Sequence, residues 1–85
     1  MKLTVLIISY KSIEKLKNCL STIGTNKKII VVENSDNRKI KTEIETNYKN
    51  CEVFLNNSNL GYSQASNIGF KLIKTDYALL LNTDV

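Results

Sequence analysis

Apolar residues along the 85-residue chain gather in two alternating kinds of segment. Residues 3–9 (Leu-Thr-Val-Leu-Ile-Ile-Ser) and 28–33 (Lys-Ile-Ile-Val-Val-Glu) are nearly continuous β-branched runs, the pattern of strands covered on both faces and therefore of a parallel sheet. Residues 51–55 (Cys-Glu-Val-Phe-Leu) and 76–82 (Asp-Tyr-Ala-Leu-Leu-Leu-Asn) predict two more strands. Between them the spacing becomes helical. Ile13, Leu16, Cys19, Leu20 and Ile23 form one stripe, with Ser12 placed to cap its start and Gly24 to stop it. Ile40, Ile44 and Tyr48 recur every four residues and predict a short helix whose Glu43 and Glu45 face outward beside Lys39 and Lys41. Ala65, Ile68, Gly69 and Leu72 predict a third helix from about residue 63 to 74. Asn34-Ser35-Asp36-Asn37 and Asn56-Asn57-Ser58-Asn59 are dense clusters of turn formers.

The order is therefore βαβαβαβ, and right-handed crossovers restrict how it winds. If the chain runs from strand one outward through strands two and three, the first two helices share a face. The third helix then returns to strand four beside strand one, on the opposite face. The expected fold is α/β, a Rossmann-like three-layer arrangement with a parallel sheet in the order 3-2-1-4. Such sheets bind ligands beyond the carboxyl ends of the strands at the switch point, here between strands one and four. Ser9, Tyr10, Glu33, Asn34, Asn82 and Asp84 fall at those ends.

Composition narrows the chemistry. At 42% hydrophobic and 24% charged, the chain suits a folded domain, and no proline, linker or repeat divides it. The formal charge of +4 comes from lysines spread through the sequence, which read as solvated faces and not as a nucleic-acid groove. No apolar run is long enough to span a bilayer or form a signal-peptide core, so the chain reads as cytoplasmic, with the inner face of the membrane the nearest alternative place of work. Cys19 and Cys51 belong to no C-x-x-C pair and read as reduced core residues. The absence of histidine removes Ser-His-Asp and Cys-His hydrolysis and leaves no zinc ligand set. What remains is chemistry by carboxylates, amides, hydroxyls or a bound metal.

Asn82-Thr83-Asp84 carries an amide and a carboxylate straight out of a dry strand, and Asp84 suits a hard divalent cation, although the same triplet is an ordinary turn. Glu33 stands where a carboxylate accepts bonds from a base or ribose, or else simply ends a strand. Tyr10 offers a ring face for a base or for the sheet. The segment 59–69 (Asn-Leu-Gly-Tyr-Ser-Gln-Ala-Ser-Asn-Ile-Gly) gives a tight turn into a helix that lies close to the sheet. It is neither a G-x-G-x-x-G nor a Walker sequence.

Taken together, these pieces resemble the family 2 glycosyltransferases, inverting enzymes of the GT-A fold. Residues 3–11 are similar to that family's V-S-V-I-I-P-T-Y-N opening, residues 29–35 to its I-I-V-V-D-N-x-S strand, residues 59–69 to its N-x-G-x-x-x-A-x-N-x-G segment, and residues 75–85 to its final G-D-Y-x-L-x-L-[ND]-x-D-x stretch. The resemblance covers nearly the whole chain and implies a nucleotide-diphosphate sugar as donor and a sugar or lipid-linked hydroxyl as acceptor. It implies that Asp84 is the last acid of a DXD-like motif and binds Mg²⁺ or Mn²⁺, with Asn82 as that motif's first residue near the ribose. Tyr10 and Glu33 would line the base pocket, Asn34 and Ser35 would be its supporting loop, Ser9 would be among the nucleotide-binding residues, and Asn67 would lie in the helix under the nucleotide.

The chain departs from the family pattern at Ile8, Lys11, Glu33, Ser66 and Asn82, which stand for the usual proline, asparagine, aspartate, arginine and aspartate. Its N-x-D triplet resembles the rhamnosyltransferase-like branch, which favours a dTDP- or UDP-sugar. The family's acceptor site and general base follow the DXD motif, whereas this sequence ends at Val85, directly after Asp84. The resemblance thus implies that residues 1–85 are the nucleotide-sugar-binding part of a GT-A domain in polysaccharide assembly, with the general base expected beyond Val85. On that reading no catalytic residue is present, and the isolated chain does not transfer sugar. A receiver-like partner-binding module would need acids after strand one, where Ser9-Tyr10-Lys11 stands. A nucleotidyltransferase would need a glycine-rich basic loop there. With two helices on one face and one on the other, four nearly all-apolar strands cannot all be covered, so apolar sheet and a strand edge should stay bare and favour self-association.

Overall fold

Seven elements alternate along the chain: β1 (Leu3–Ser9), α1 (Ile13–Ile23), β2 (Lys28–Glu33), α2 (Arg38–Asn47), β3 (Cys51–Leu55), α3 (Gly61–Leu72) and β4 (Tyr77–Asn82). The computed structural model describes residues 2–83. The four strands form one all-parallel sheet in the order β3-β2-β1-β4, the Rossmann-like order that right-handed crossovers dictate.

Local chemistry fixes the helix ends, in places differently from the sequence reading. Ser12 makes no side-chain cap on α1, and only its carbonyl joins the helix, accepting from Leu16 N. The side chain that does cap a helix is Asn37, whose Oδ1 accepts from Lys39 N and Ile40 N at the start of α2. The third helix begins two residues earlier than the apolar stripe suggests, because Asn59 Oδ1 accepts from Gly61 N and turns the chain there. Nor do the acids of α2 simply face outward. Glu43 pairs with Lys17 of α1. Glu45 turns toward β3, where its carboxylate accepts from Val53 N at 2.8 Å while Lys41 Nζ donates to Val53 O at 2.6 Å and to Glu45 at 2.8 Å. This pair occupies the outward N–H and C=O of an edge strand, groups that otherwise invite another strand. Burial works against the Glu45 carboxylate, but Lys41 and the Val53 N–H outweigh it and hold the group below its ordinary value.

Alternation along the strands divides the core. Val5, Ile7, Ile29, Val31, Cys51 and Val53 pack under Leu16 and Leu20 of α1 and Ile40 and Ile44 of α2. Leu6, Ile8, Ile30 and Val32 point the other way, toward Ala65 of α3. Gly69 makes the closest approach on that side: a Cβ there would sit 2.5 Å from Leu6 Cδ1 and 3.1 Å from Leu6 Cγ. Leu6 is fully buried, so it has nowhere to retreat. Gly69→Ala is therefore expected to destabilise the domain by about 1–3 kcal/mol in urea unfolding. An unchanged midpoint would show that α3 floats off the sheet.

The helices leave apolar surface on both faces of the sheet, since Phe54 lies in register with Val32 on the α3 side and Tyr77 and Leu79 lie in register with Leu3 and Val5 on the α1–α2 side. Phe54 on β3, Phe70 on α3, and Tyr77 and Leu79 on β4 are all about half exposed. Among the described residues no strand pairs with the outer side of β4.

Candidate functional site

Strand register brings the polar strand ends together. Ser9 pairs with Glu33 across β1 and β2, and Ile8 pairs with Asn82 across β1 and β4. Above these ends lies a cleft of about 400 Å³ lined by Ser9, Tyr10, Asn34, Asn82 and Thr83 from the predicted motifs. That size suits a small ligand, and its place is the switch point of the sheet. Ser12 and Lys15 at the start of α1 and Asn59, Gly61 and Tyr62 at the start of α3 also line it. None of these five was singled out from sequence as a binding residue. The available signal was their position: each follows the C-terminal end of a strand by three to seven residues.

Glu33 lies under the cleft and does not line it. Its side chain is fully buried and both carboxylate oxygens are engaged. Ser9 Oγ donates to Oε1 at 2.6 Å, and Lys11 N, at 2.9 Å, and Ser35 Oγ donate to Oε2. Ser35 is likewise buried, and its Oγ accepts from Asn37 N. Glu33 thereby ties β1, the turn after it and the turn after β2 into one unit. Asn34 performs the matching task on the other side. Its Oδ1 accepts from Asn56 Nδ2 at 2.6 Å and from Leu60 N, and its Nδ2 donates to Gly61 O. The start of α3 is thus fixed to the end of β2. Gly61, at a φ of +81°, provides the left-handed turn this needs.

Tyr10 projects half-exposed at the rim, with Lys11 Nζ 5.4 Å from its ring centroid. Lys11 adopts a left-handed φ of +49°, which is costly for a lysine and mild for asparagine, the residue usual in the resembled family. Lys11→Asn is expected to raise stability by about 0.5–1 kcal/mol in urea unfolding. A loss of stability would mean that the lysine side chain, and not the backbone shape, matters at this turn.

Asn67 is exposed on α3 and is not among the cleft residues. Beside it Ser66 is buried, with Oγ donating to Tyr62 O inside the helix. Asp84, the expected metal ligand, and Val85, beyond which the general base is expected, both lie outside the described residues. Among the described residues no three acidic, histidine or cysteine side chains cluster to hold a metal. The amide of Asn82 and the hydroxyl of Thr83 are hard oxygen donors of the kind that accompany a carboxylate around Mg²⁺. The walls of the cleft offer two tyrosine rings, hydrogen-bonding amides and hydroxyls, and the cation of Lys15.

The chain matches the family model of glycosyl transferase family 2 over residues 4–85. A search of curated proteins gives no match.

Proposed function

Since the chain belongs to glycosyl transferase family 2, whose chemistry is sugar transfer from a nucleotide-sugar donor to an acceptor, we propose that the cleft between β1 and β4 is the donor's nucleotide site. The observation that carries this reading is the convergence of Tyr10, Asn34 and Asn82 at the switch point of the sheet. Tyr10 stacks on the base, and Ser9 and Asn34, held by the Glu33 and Asn56 networks, offer it polar edges. Glu33 acts from beneath as a positioning residue, Ser35 braces it, and Asn67 supports α3 without touching the nucleotide. Asp84 would hold a divalent cation, Mg²⁺ or Mn²⁺, with Asn82 beside it near the ribose, and the cation would supply the positive charge that neutralises the diphosphate. The donor class is a UDP- or dTDP-sugar, with the general base for the acceptor hydroxyl supplied from beyond Val85.

Calorimetric titration with UDP and dTDP tests this. Binding is expected to strengthen when Mg²⁺ is added, and Asp84→Ala is expected to remove that gain, weakening the metal-dependent affinity by at least about tenfold. The purified chain should not transfer sugar to an added acceptor. Binding indifferent to both Mg²⁺ and Asp84, or measurable transfer, would contradict the proposal.

A further inference from the structure

The end of the molecule opposite the cleft carries its excess charge. Because the strands are parallel, their N-terminal ends share one edge. Lys2 precedes β1, Lys27 and Lys28 open β2, Lys49 precedes β3, Lys74 precedes β4, and Lys71 lies in the last turn of α3. All six are exposed. Three surface hollows run together along this edge, with Lys28 lining all of them and the other five lysines distributed among them. Among the described residues Glu52, paired with Lys28, and Asp76, just before β4, oppose them there, and Glu45, which lines the same edge, is matched by Lys41. The surplus of six lysines over two acids equals the formal charge of +4 of the whole chain, and the remaining six cations and six acids cancel. Tyr77 at the start of β4 and Phe70 near the end of α3 lie half-exposed among these lysines.

We propose that this edge docks on an anionic lipid bilayer. Clustered lysines with interspersed aromatic rings are what such a surface attracts, each lysine contributing on the order of 1 kcal/mol near it. The six charges spread over the full width of the sheet, about 15 Å from β3 to β4, and only Lys28, Lys71 and Lys74 of the six share its largest groove, in which Phe54 is the single aromatic ring. A fluid layer of anionic headgroups fits that spread better than a nucleic-acid strand does. Docked this way, the cleft opens away from the bilayer, about 20 Å above it by the length of the strands.

Flotation with vesicles provides the test, using phosphatidylcholine alone and phosphatidylcholine with phosphatidylglycerol at roughly 3:1. The chain is expected to float with the acidic vesicles only and to be released by high salt. Lys49→Glu with Lys74→Glu should weaken this binding at least about tenfold, and the neutral pair Lys49→Gln with Lys74→Gln should fall between. Arg38→Glu with Lys39→Glu makes the same charge change at the start of α2 and should stay within about threefold of the parent. Circular dichroism of every variant should match the parent, since all these side chains are exposed. The proposal is overturned by absent binding to acidic vesicles, equal binding to neutral ones, or equal loss in both charge-reversed pairs. It is also overturned if a single-stranded oligonucleotide binds through Lys49 and Lys74 more tightly than the vesicles do.

Discussion

Replacing Glu33 with alanine is expected to cost about 3–5 kcal/mol, a large share of what a domain this size has. The substitution removes the acceptor for Ser9 Oγ, Lys11 N and Ser35 Oγ at once, at a site sealed from solvent. Bonds to a charged acceptor are worth about 1.5–3 kcal/mol each, and donors left buried without a partner add their own penalty. Lys11 N cannot turn to another partner, whereas a serine hydroxyl can. Glu33→Gln should therefore be milder, about 1–2 kcal/mol, because its one carbonyl oxygen still serves Lys11 and Ser35 while Ser9 rotates to accept from the new amide. Urea unfolding of both variants gives the stabilities, and the amide signal of Lys11 reports the turn directly. Equal, small losses would mean that the carboxylate does not organise the strand ends.

Cys51 is expected to react with iodoacetamide about a thousandfold more slowly in the folded chain than in urea at pH 8. Burial pushes its thiol up from the ordinary 9.0 to about 12, with Glu45 and Glu52 adding to the effect. At pH 8 roughly a tenth of an ordinary thiol is thiolate, against about one part in ten thousand for Cys51. Cys19 is also shifted upward by burial but lies less deep, so it should be modified first. The same shift makes stability depend on pH. The folded thiol holds its proton more tightly than the unfolded one, so the contribution is complete below pH 9 and is lost as pH climbs from 9 toward about 12. Comparable rates for Cys51 folded and unfolded would place it outside the core.

The strands were legible because nothing competes with the nearly continuous apolar runs of β1 and β2 or with the alternation of β3, and all three fall on the predicted residues. The two faces followed from connection handedness alone. Side-chain hydrogen bonds account for what was missed. Periodicity does not show that Asn37 caps α2, that Asn59 starts α3 two residues early, or that Glu45 folds back onto β3. Glu33 is the sharpest case. As the last residue of a strand it looked available to a ligand, but Ser9 and Ser35 lie close enough to enclose it, a fact that depends on register across two strands and a turn. The basic edge was hidden for the same reason, since six lysines scattered through the sequence meet only after the strands line up.

The central claim is that the cleft at the ends of β1 and β4 receives the nucleotide, and amide NMR of the isotope-labelled chain titrated with UDP and dTDP, with and without Mg²⁺, tests it most directly. The predicted result is a set of shifts centred on Tyr10, Asn34, Gly61 and Asn82, with Lys49 and Lys74 at the far edge unmoved. A well-dispersed spectrum whose shifts instead gather around Phe54 and Lys71, in the larger groove of about 600 Å³ at the other end, or that does not respond at all, would contradict it.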